Sequence, residues 1–148
     1  MLTFDAVQAL PPEEATRERK SVFRSMAHTL NHCYVVGLIW QAHLEGREHG
    51  LTARNTPDHP PLDELRRKQA AQDEWFISHA SQSEQVLGET VRFTLIGGNR
   101  GEMTRGEILL HIVNHNTYHR GYVADMFYQV PARPPTTDLP VYLREARR

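Results

Sequence analysis

Apolar residues recur at helical spacing along most of this chain, and breaks rich in proline or glycine divide the pattern into segments. The first long segment begins at Pro11 and Pro12, which two glutamates follow. Proline is tolerated in a first turn, and carboxylates suit the positive end of the helix dipole. We therefore predict a helix that starts here and runs to Gly46, with a break near Ser21.

The middle of the chain predicts a loop, a second helix and a small hairpin. Residues 47–61 are rich in proline and predict a loop, and residues 62–87 carry the apolar stripe of a long helix. Polar and apolar residues alternate over 89–96, before the turn sequence Gly-Gly-Asn at 97–99. This pattern is typical of a strand that enters a turn, with residues 102–104 as its returning partner.

A third long helix is predicted to begin after Thr104, with Glu107 completing a capping box, and to end before Pro131. The tail after it is predicted to be irregular apart from a last helical turn. At 148 residues the chain suits one compact domain over 1–148 with a sizeable core. The pattern thus predicts an all-α fold, a helical bundle with a small β-hairpin.

His111, His115 and His119 follow one another at intervals of four residues on this third helix. Each such interval turns the helix by about 400° and advances it by about 6 Å, so the rings follow one face. His115 and His119 share that face with an apolar stripe, which directs them toward the core. Buried imidazoles need a partner. We favour a divalent metal over the alternative, in which the rings bond only to each other or to backbone groups.

A further ligand for such a metal should come from another helix. His28 and His32 lie one turn apart in the first long helix, and His32 shares its face with apolar Val36 and Ile39. From their position alone, both histidines remain candidates. His43 lies about 16 Å along the axis from His32, beyond reach of the same ion, and is predicted to be a surface or helix-end residue.

Several motifs resemble the DinB family, and the resemblance spans nearly the whole chain. They are Thr29-Leu-Asn-His32, Ile39-Trp40, Leu44-Glu-Gly46, His111-x-x-Asn-His115-x-x-x-His119-Arg-Gly121 and Asp138-Leu-Pro-Val-Tyr-Leu. The resemblance implies a DinB-like helical bundle that binds a divalent metal through three histidines. Carried over by position, those ligands are His32, His115 and His119, which leaves His28 and His111 as neighbours of the site.

The chain departs from the family pattern in three places. Gly37 stands where relatives often carry an acidic residue, and Tyr122 stands where they often have glutamine. A close packing contact is the simplest explanation for a glycine inside a helix. The first helix is expected to be truncated, since residues 1–10 resemble only its last turns. The true start then lies upstream, or a partner subunit covers the exposed apolar surface, and we favour a homodimer whose interface includes the first two helices.

The bulk properties narrow the class of partner. A formal charge of -1 and a pI near 6.8 give no general basic surface, so we expect no binding to nucleic acid. The sequence contains no stretch suited to a membrane span and no signal-peptide pattern, so we expect a cytoplasmic protein that does not bind membranes. A single cysteine, Cys33, excludes an internal disulfide and a cysteine-based zinc site, and is interpreted as a small buried residue.

Three neutral imidazoles leave positions open on an ion, which is typical of catalytic sites. We expect zinc or nickel, together with a low-molecular-weight thiol cofactor as some relatives use. The leading hypothesis is a metal-dependent hydrolase or thiol transferase acting on a small molecule. Asp73, Glu74 and His79 are candidate general bases, and Arg120 is expected to pair with a carboxylate. The alternatives are a metal-binding stress protein without turnover and a metal-free histidine core.

Overall fold

The computed structural model of the protein describes residues 1–146 and consists of helices with one two-stranded hairpin. The helices are α1 (Leu2–Gln8), α2 (Met26–Glu45), α3 (Leu62–Ala80), α4 (Glu84–Leu87), α5 (Arg105–Phe127) and α6 (Leu139–Ala146), and the strands are β1 (Thr90–Thr94) and β2 (Arg100–Thr104). The strands pair antiparallel, with Thr90 opposite Thr104. The predicted helical bundle with a small hairpin is confirmed.

Helices α2 and α5 form the centre of the fold, because α2 packs most extensively against α5 and then against α3. Helix α2 begins at the cap residue Ser25, whose side chain accepts a hydrogen bond from the backbone N–H of His28, and it ends at Gly46 with φ 69°. Helix α5 begins with the predicted capping box of Thr104 and Glu107. These caps set where the histidines lie along both helices.

Two apolar cores occupy opposite ends of the α2–α5 pair. The first contains Phe4, Val7, Ala15, Met26, Leu30, Leu65, Val123, Met126 and Phe127. The second contains Val36, Trp40, Leu44, Phe76, Ile108 and Ile112, with side chains of the hairpin packed against it. The chain positions between the two cores are residues 31–35 on α2 and 113–122 on α5. His32, His115 and His119 therefore lie at the junction of the cores.

The prediction of a helix starting at Pro11 is wrong, because α2 begins only at Met26 and turns and bends precede it. Polar contacts organise this earlier segment. The buried carboxylate of Glu14 pairs with Arg19, whose side chain is only 3% exposed, and Arg24 has a positive φ of 63°, which no helix allows. Local pattern favoured a helix, but a largely buried ion pair holds the segment in another conformation.

The second predicted helix, 62–87, is interrupted. Helix α3 ends at Ala80, and Ser83 caps the separate short helix α4 by accepting a hydrogen bond from the N–H of Val86 at 3.4 Å. Serine competes for backbone hydrogen bonds and so favours a helix end over a helix interior. In the tail, α6 has eight residues, which is more than the single predicted turn.

Between residues 1 and 146, no helix combines the length and the apolar character that a bilayer crossing requires. Helix α1 has seven residues and leaves Leu2 56% exposed. The homodimer through the first two helices stays a prediction.

Candidate metal centre

The three histidines singled out in the sequence lie together in the folded chain. Helix α2 supplies His32, and α5 supplies His115 and His119 from successive turns. One nitrogen from each ring lies within 4.8 Å of the other two, and the Nε2 atoms of His32 and His115 are 3.1 Å apart. We refer to these residues as the histidine trio.

A backbone contact orients His32 within the trio. Its Nδ1 lies 2.6 Å from the carbonyl oxygen of Arg54, which belongs to the loop between α2 and α3. A carbonyl oxygen only accepts hydrogen bonds, so Nδ1 carries the hydrogen and the lone pair is on Nε2. That lone pair faces His115. Metal-binding histidines characteristically donate their second N–H to a carbonyl or carboxylate in this way.

The loop that holds His32 is itself anchored by the preceding residue. Asn31 is 1% exposed, and its Nδ2 donates to Asn55 Oδ1 at 2.6 Å and to Thr56 Oγ1 at 2.7 Å. Asn55 Nδ2 in turn donates to the carbonyl oxygen of His28 at 3.1 Å. The motif Leu-Asn-His predicts no role for its asparagine, because the loop partners of Asn31 are 24 and 25 residues away in sequence.

The same loop removes His28 as a competing ligand. The ring nitrogens of His28 lie 3.2 Å from Ser25 Oγ and 3.1 Å from the carbonyl oxygen of Pro57, so both are occupied. Of the two candidates that the sequence left open on α2, only His32 reaches the trio. His111 lies at the edge of the site, with its ring centroid 5.0 Å from Trp40 and 5.8 Å from His115.

Burial keeps the imidazoles neutral. Desolvation, reinforced by neighbouring histidines, lowers the pKa of both His115 and His119 to about 4. Desolvation also lowers the pKa of His32, partly offset by its bond to the Arg54 carbonyl. Neutral imidazole is the form that donates a lone pair to a metal. All three rings are therefore in the ligand form at neutral pH.

The trio fits a divalent cation. Ligand nitrogens at the usual distance of about 2.0–2.1 Å from a tetrahedral ion lie roughly 3.4 Å from one another, and the Nε2 atoms of His32 and His115 are already 3.1 Å apart. If neutral His115 carries its hydrogen on Nδ1, two lone pairs face each other, and these repel unless a cation lies between them. Within residues 1–146, the buried Nδ1 atoms of His115 and His119 have no hydrogen-bond partner.

A cavity of about 550 Å³ opens beside the trio. Its lining consists of Phe23, His32, Val36, Ile39, Trp40, Arg54, Phe93, Leu95, Ile96, Met103, His111, His115 and His119. Phe23 stacks on the ring of His32 with centroids 4.2 Å apart. Arg54 is the one charged residue among the described lining residues, and none of them carries a carboxylate. A small molecule can therefore reach the trio through mostly apolar surroundings.

The candidate general bases on α3 do not line this cavity. Asp73 accepts a hydrogen bond from Gln69 Nε2 at 2.8 Å, and burial raises its pKa. His79 stacks on Trp75 with ring centroids 3.5 Å apart, and Glu74 is exposed. These side chains are therefore not placed to contact a small molecule in this cavity.

The surroundings of Arg120 and Cys33 do not indicate a catalytic role for either residue. Arg120 donates to Thr117 Oγ1 at 2.8 Å. Its charge also lowers the pKa of Asp73, against the larger rise caused by burial, and the predicted carboxylate pair stays a prediction. Cys33 is buried as predicted, and burial raises its pKa to about 12. A thiol with that pKa is protonated at neutral pH and does not serve as a nucleophile or ligand.

Gly37 has the predicted close contact. A Cβ at this position would lie 2.0 Å from Oε1 of the Gln72 side chain. The Nε2 of Gln72 donates to the carbonyl oxygen of Tyr34 at 3.3 Å. The absence of a side chain at Gly37 therefore lets the buried side-chain amide of Gln72, on α3, pack directly against the backbone of α2.

Comparisons with known proteins agree with this architecture. A family model described as the DinB family matches residues 1–148. The chain is 29% identical to the protein DinB of Bacillus subtilis strain 168 over 146 residues, which cover 95% of this chain and 84% of that protein. It is also similar to the crystal structure of a DinB-like protein from Bacillus cereus ATCC 10987, with a TM-score of 0.69 and 15% identity over 93% of this chain and 89% of that one. Sequence and fold thus match known proteins over nearly the whole chain.

Proposed function

The chain belongs to the DinB family, and we propose that it is a divalent-metal-dependent enzyme that transfers a low-molecular-weight thiol to a small electrophile. The observation that carries this proposal is the meeting of three neutral imidazoles at one end of the 550 Å³ cavity. His32, His115 and His119 are the proposed ligands. Three protein ligands leave a coordination position for a reactant, as in catalytic metal sites.

The protein contributes positioning and exclusion of water. The Arg54 carbonyl directs the Nε2 of His32 toward the position that the ion would occupy, and the apolar side chains of the cavity lining would reduce the access of bulk water to the reacting atoms. When bound, a divalent ion lowers the pKa of a thiol or of water and so supplies a nucleophile at neutral pH. Zinc or nickel is the proposed ion, because both suit nitrogen ligands.

Thiol transfer is favoured over hydrolysis by the composition of the cavity. Metal hydrolases with helical histidine motifs commonly use a nearby glutamate to accept the proton of water. The described lining residues include no carboxylate. A thiol is acidic enough to lose its proton at an ion without such a base, since its ordinary pKa is about 8.5, far below that of water. Hydrolysis remains the second reaction to be tested.

A non-catalytic role is supported by one separate observation. The trio lies between the two apolar cores, where an ion would join α2 to α5 at the centre of the fold. A metal in this position would stabilise the folded state by linkage even without turnover. On this second proposal the chain is a metal-binding protein of the stress response.

The first experiment is metal analysis of protein purified without a histidine tag. We expect about one zinc or nickel ion per chain, as three convergent imidazoles provide one site. The variant His32→Ala combined with His115→Ala should contain none, while the control His43→Ala, on the same helix but outside the trio, should retain the ion. Metal retained by the double variant would show that the proposed ligands are wrong.

The second experiment is a conjugation screen of several cellular thiols against small electrophiles, with ester hydrolysis assayed in parallel. We expect the wild type and His43→Ala to catalyse conjugation and His119→Ala to lose it. Equal conjugation rates in all three proteins would favour the non-catalytic role. Metal-dependent ester cleavage without thiol consumption would instead identify a hydrolase.

A further inference from the structure

The cavity beside the trio has two unlike ends. One end presents the imidazoles of the trio, and Arg54 is an exposed residue of the lining. His111 also lines the cavity, with its ring centroid 5.0 Å from that of Trp40. The other end is formed by side chains that neither donate nor accept hydrogen bonds readily, apart from the indole N–H: Val36, Ile39, Trp40, Phe93, Leu95, Ile96 and Met103. A ligand at the metal would therefore have its body among apolar groups.

The hairpin builds the apolar end through a glycine. Phe93 lies opposite Gly101 in the strand register, and a Cβ on Gly101 would lie 2.7 Å from Cε2 of the Phe93 ring. The ring can therefore lie across the neighbouring strand, where it reaches Trp40 with centroids 4.9 Å apart at 78°. This edge-to-face pair gives one side of the cavity an aromatic wall.

Size and polarity together limit the occupant. The volume of 550 Å³ lies within the range of roughly 300–1,000 Å³ typical of small-molecule sites. A sugar or charged peptide placed among these apolar groups would lose hydrogen bonds to water without replacement. An aryl or alkyl group has no hydrogen bonds to lose, and its transfer from water to an apolar cavity lowers the free energy.

We propose that the electrophilic substrate carries an apolar body, the size of an aromatic ring or a short alkyl chain, which lies between Trp40 and the hairpin. This inference rests on the proposed function, since it names the substrate class of the same site. Met103 on β2 and Ile96 after β1 are the specificity-determining residues, because they border the apolar end without contributing to the trio.

The test compares two probe thiols on the cobalt(II)-loaded protein, in which the visible absorption of cobalt reports binding. The probes are 2-phenylethanethiol and 2-mercaptoethanol, which share the thiol and ethylene groups. The thiol takes the place of the reacting sulfur, and the phenyl or hydroxyl group takes the place of the body of the electrophile. We expect the phenyl probe to bind about 10- to 100-fold more tightly. This is the gain in affinity expected from burial of an aromatic group in an apolar site.

Two variants separate the cavity from general hydrophobic adsorption. Met103→Trp and Ile96→Trp each fill the apolar end, and each should bring the two probes to within about threefold of each other, while cobalt remains bound. The control Val113→Trp adds the same side chain at a position on α5 that is 60% exposed. It should preserve the wild-type preference. Ile96 lies in the turn after β1. The variant Ile96→Trp therefore keeps the test available if Met103→Trp, in strand β2, fails to fold.

The outcomes distinguish this inference from the function on which it rests. Equal binding of the two probes to the wild type, or an unchanged preference in both filled variants, overturns the apolar substrate while leaving the metal site intact. Failure of the wild type to bind cobalt, or cobalt absorption that neither thiol alters, overturns the metal and thiol chemistry and the inference with it.

Discussion

Helix α2 contributes His32 to the trio and His43 to a second cluster of neighbouring histidines. Of these two clusters, only the trio is suited to a metal. In the trio, the ring centroids of His32 and His115 are 5.0 Å apart. His43 and His49 are almost as close, at 5.4 Å, and they border a larger cavity of about 680 Å³. Proximity of rings and size of cavity therefore do not distinguish the two groups.

The groups differ in where their members come from and in what their nitrogens face. The trio joins two helices, and a carbonyl on its far side fixes the lone pair of His32 toward the centre. His43 and His49 come from one helix end and the loop after it, and Nδ1 of His49 accepts a hydrogen bond from the N–H of Leu51 at 3.0 Å. Lone pairs that converge from separate elements are what makes the trio able to hold a metal ion.

The largest expected effect tests this difference directly. His115→Ala should raise the dissociation constant for zinc by at least about 100-fold, because it removes a ligand rather than a supporting group. His43→Ala should leave the constant unchanged. Competition titration with a chromogenic chelator measures both. A comparable loss in the two variants would mean that the two groups do not differ as described.

Metal removal should affect stability through the trio alone. Zinc at about 100 times its dissociation constant adds about 2.7 kcal/mol to the free energy of unfolding, or roughly 5–11 °C in Tm for a domain of this size. We expect this rise in wild type and in His49→Ala, and its absence in His119→Ala. Differential scanning fluorimetry with and without a chelator provides the measurement, and a rise retained in His119→Ala would contradict the assignment.

A smaller effect is expected from the loop that orients His32. Asn31→Ala removes the hydrogen bonds to Asn55 and Thr56 and should weaken zinc binding about 10-fold, the lower end for residues that support a ligand. His49→Ala serves as the matched control, because His49 belongs to the same loop but lies next to His43 and not next to the trio. Isothermal titration calorimetry distinguishes the two, and equal affinity in both would show that the loop anchor has no bearing on the ligand.

A last effect concerns pH and does not involve a bound metal. The folded pKa values of His115 and His119 are about 4, whereas unfolded histidine titrates near 6.5. Below about 6.5 the unfolded state binds more protons, so the stability of the metal-free protein should fall from that pH toward about 4 and then level off. His115→Gln should make the fall shallower. Urea unfolding at several pH values measures the slope, and identical slopes would contradict this account.

Local sequence predicted the parts of the fold that depend on neighbours along the chain. The capping box at Thr104 and Glu107 satisfies backbone groups within one turn, and the hairpin follows from alternation and a glycine turn. The segment after Pro11 was mispredicted because its conformation depends on the buried pair of Glu14 and Arg19, which no periodicity encodes.

The chain by itself determined that His115 and His119 share one helical face and that His32 lies on an apolar face of another helix, since helical geometry depends only on spacing. Helical position left both His28 and His32 open, and the family resemblance selected His32. The tertiary structure gives the physical reason, because the carbonyl of Pro57 occupies the ring of His28 and the carbonyl of Arg54 directs that of His32 to the trio. It also created the apolar cavity, whose walls come from α2, α5 and the hairpin. Contacts between segments that are distant in sequence depend on the packing of the whole bundle, so the local sequence pattern does not predict them.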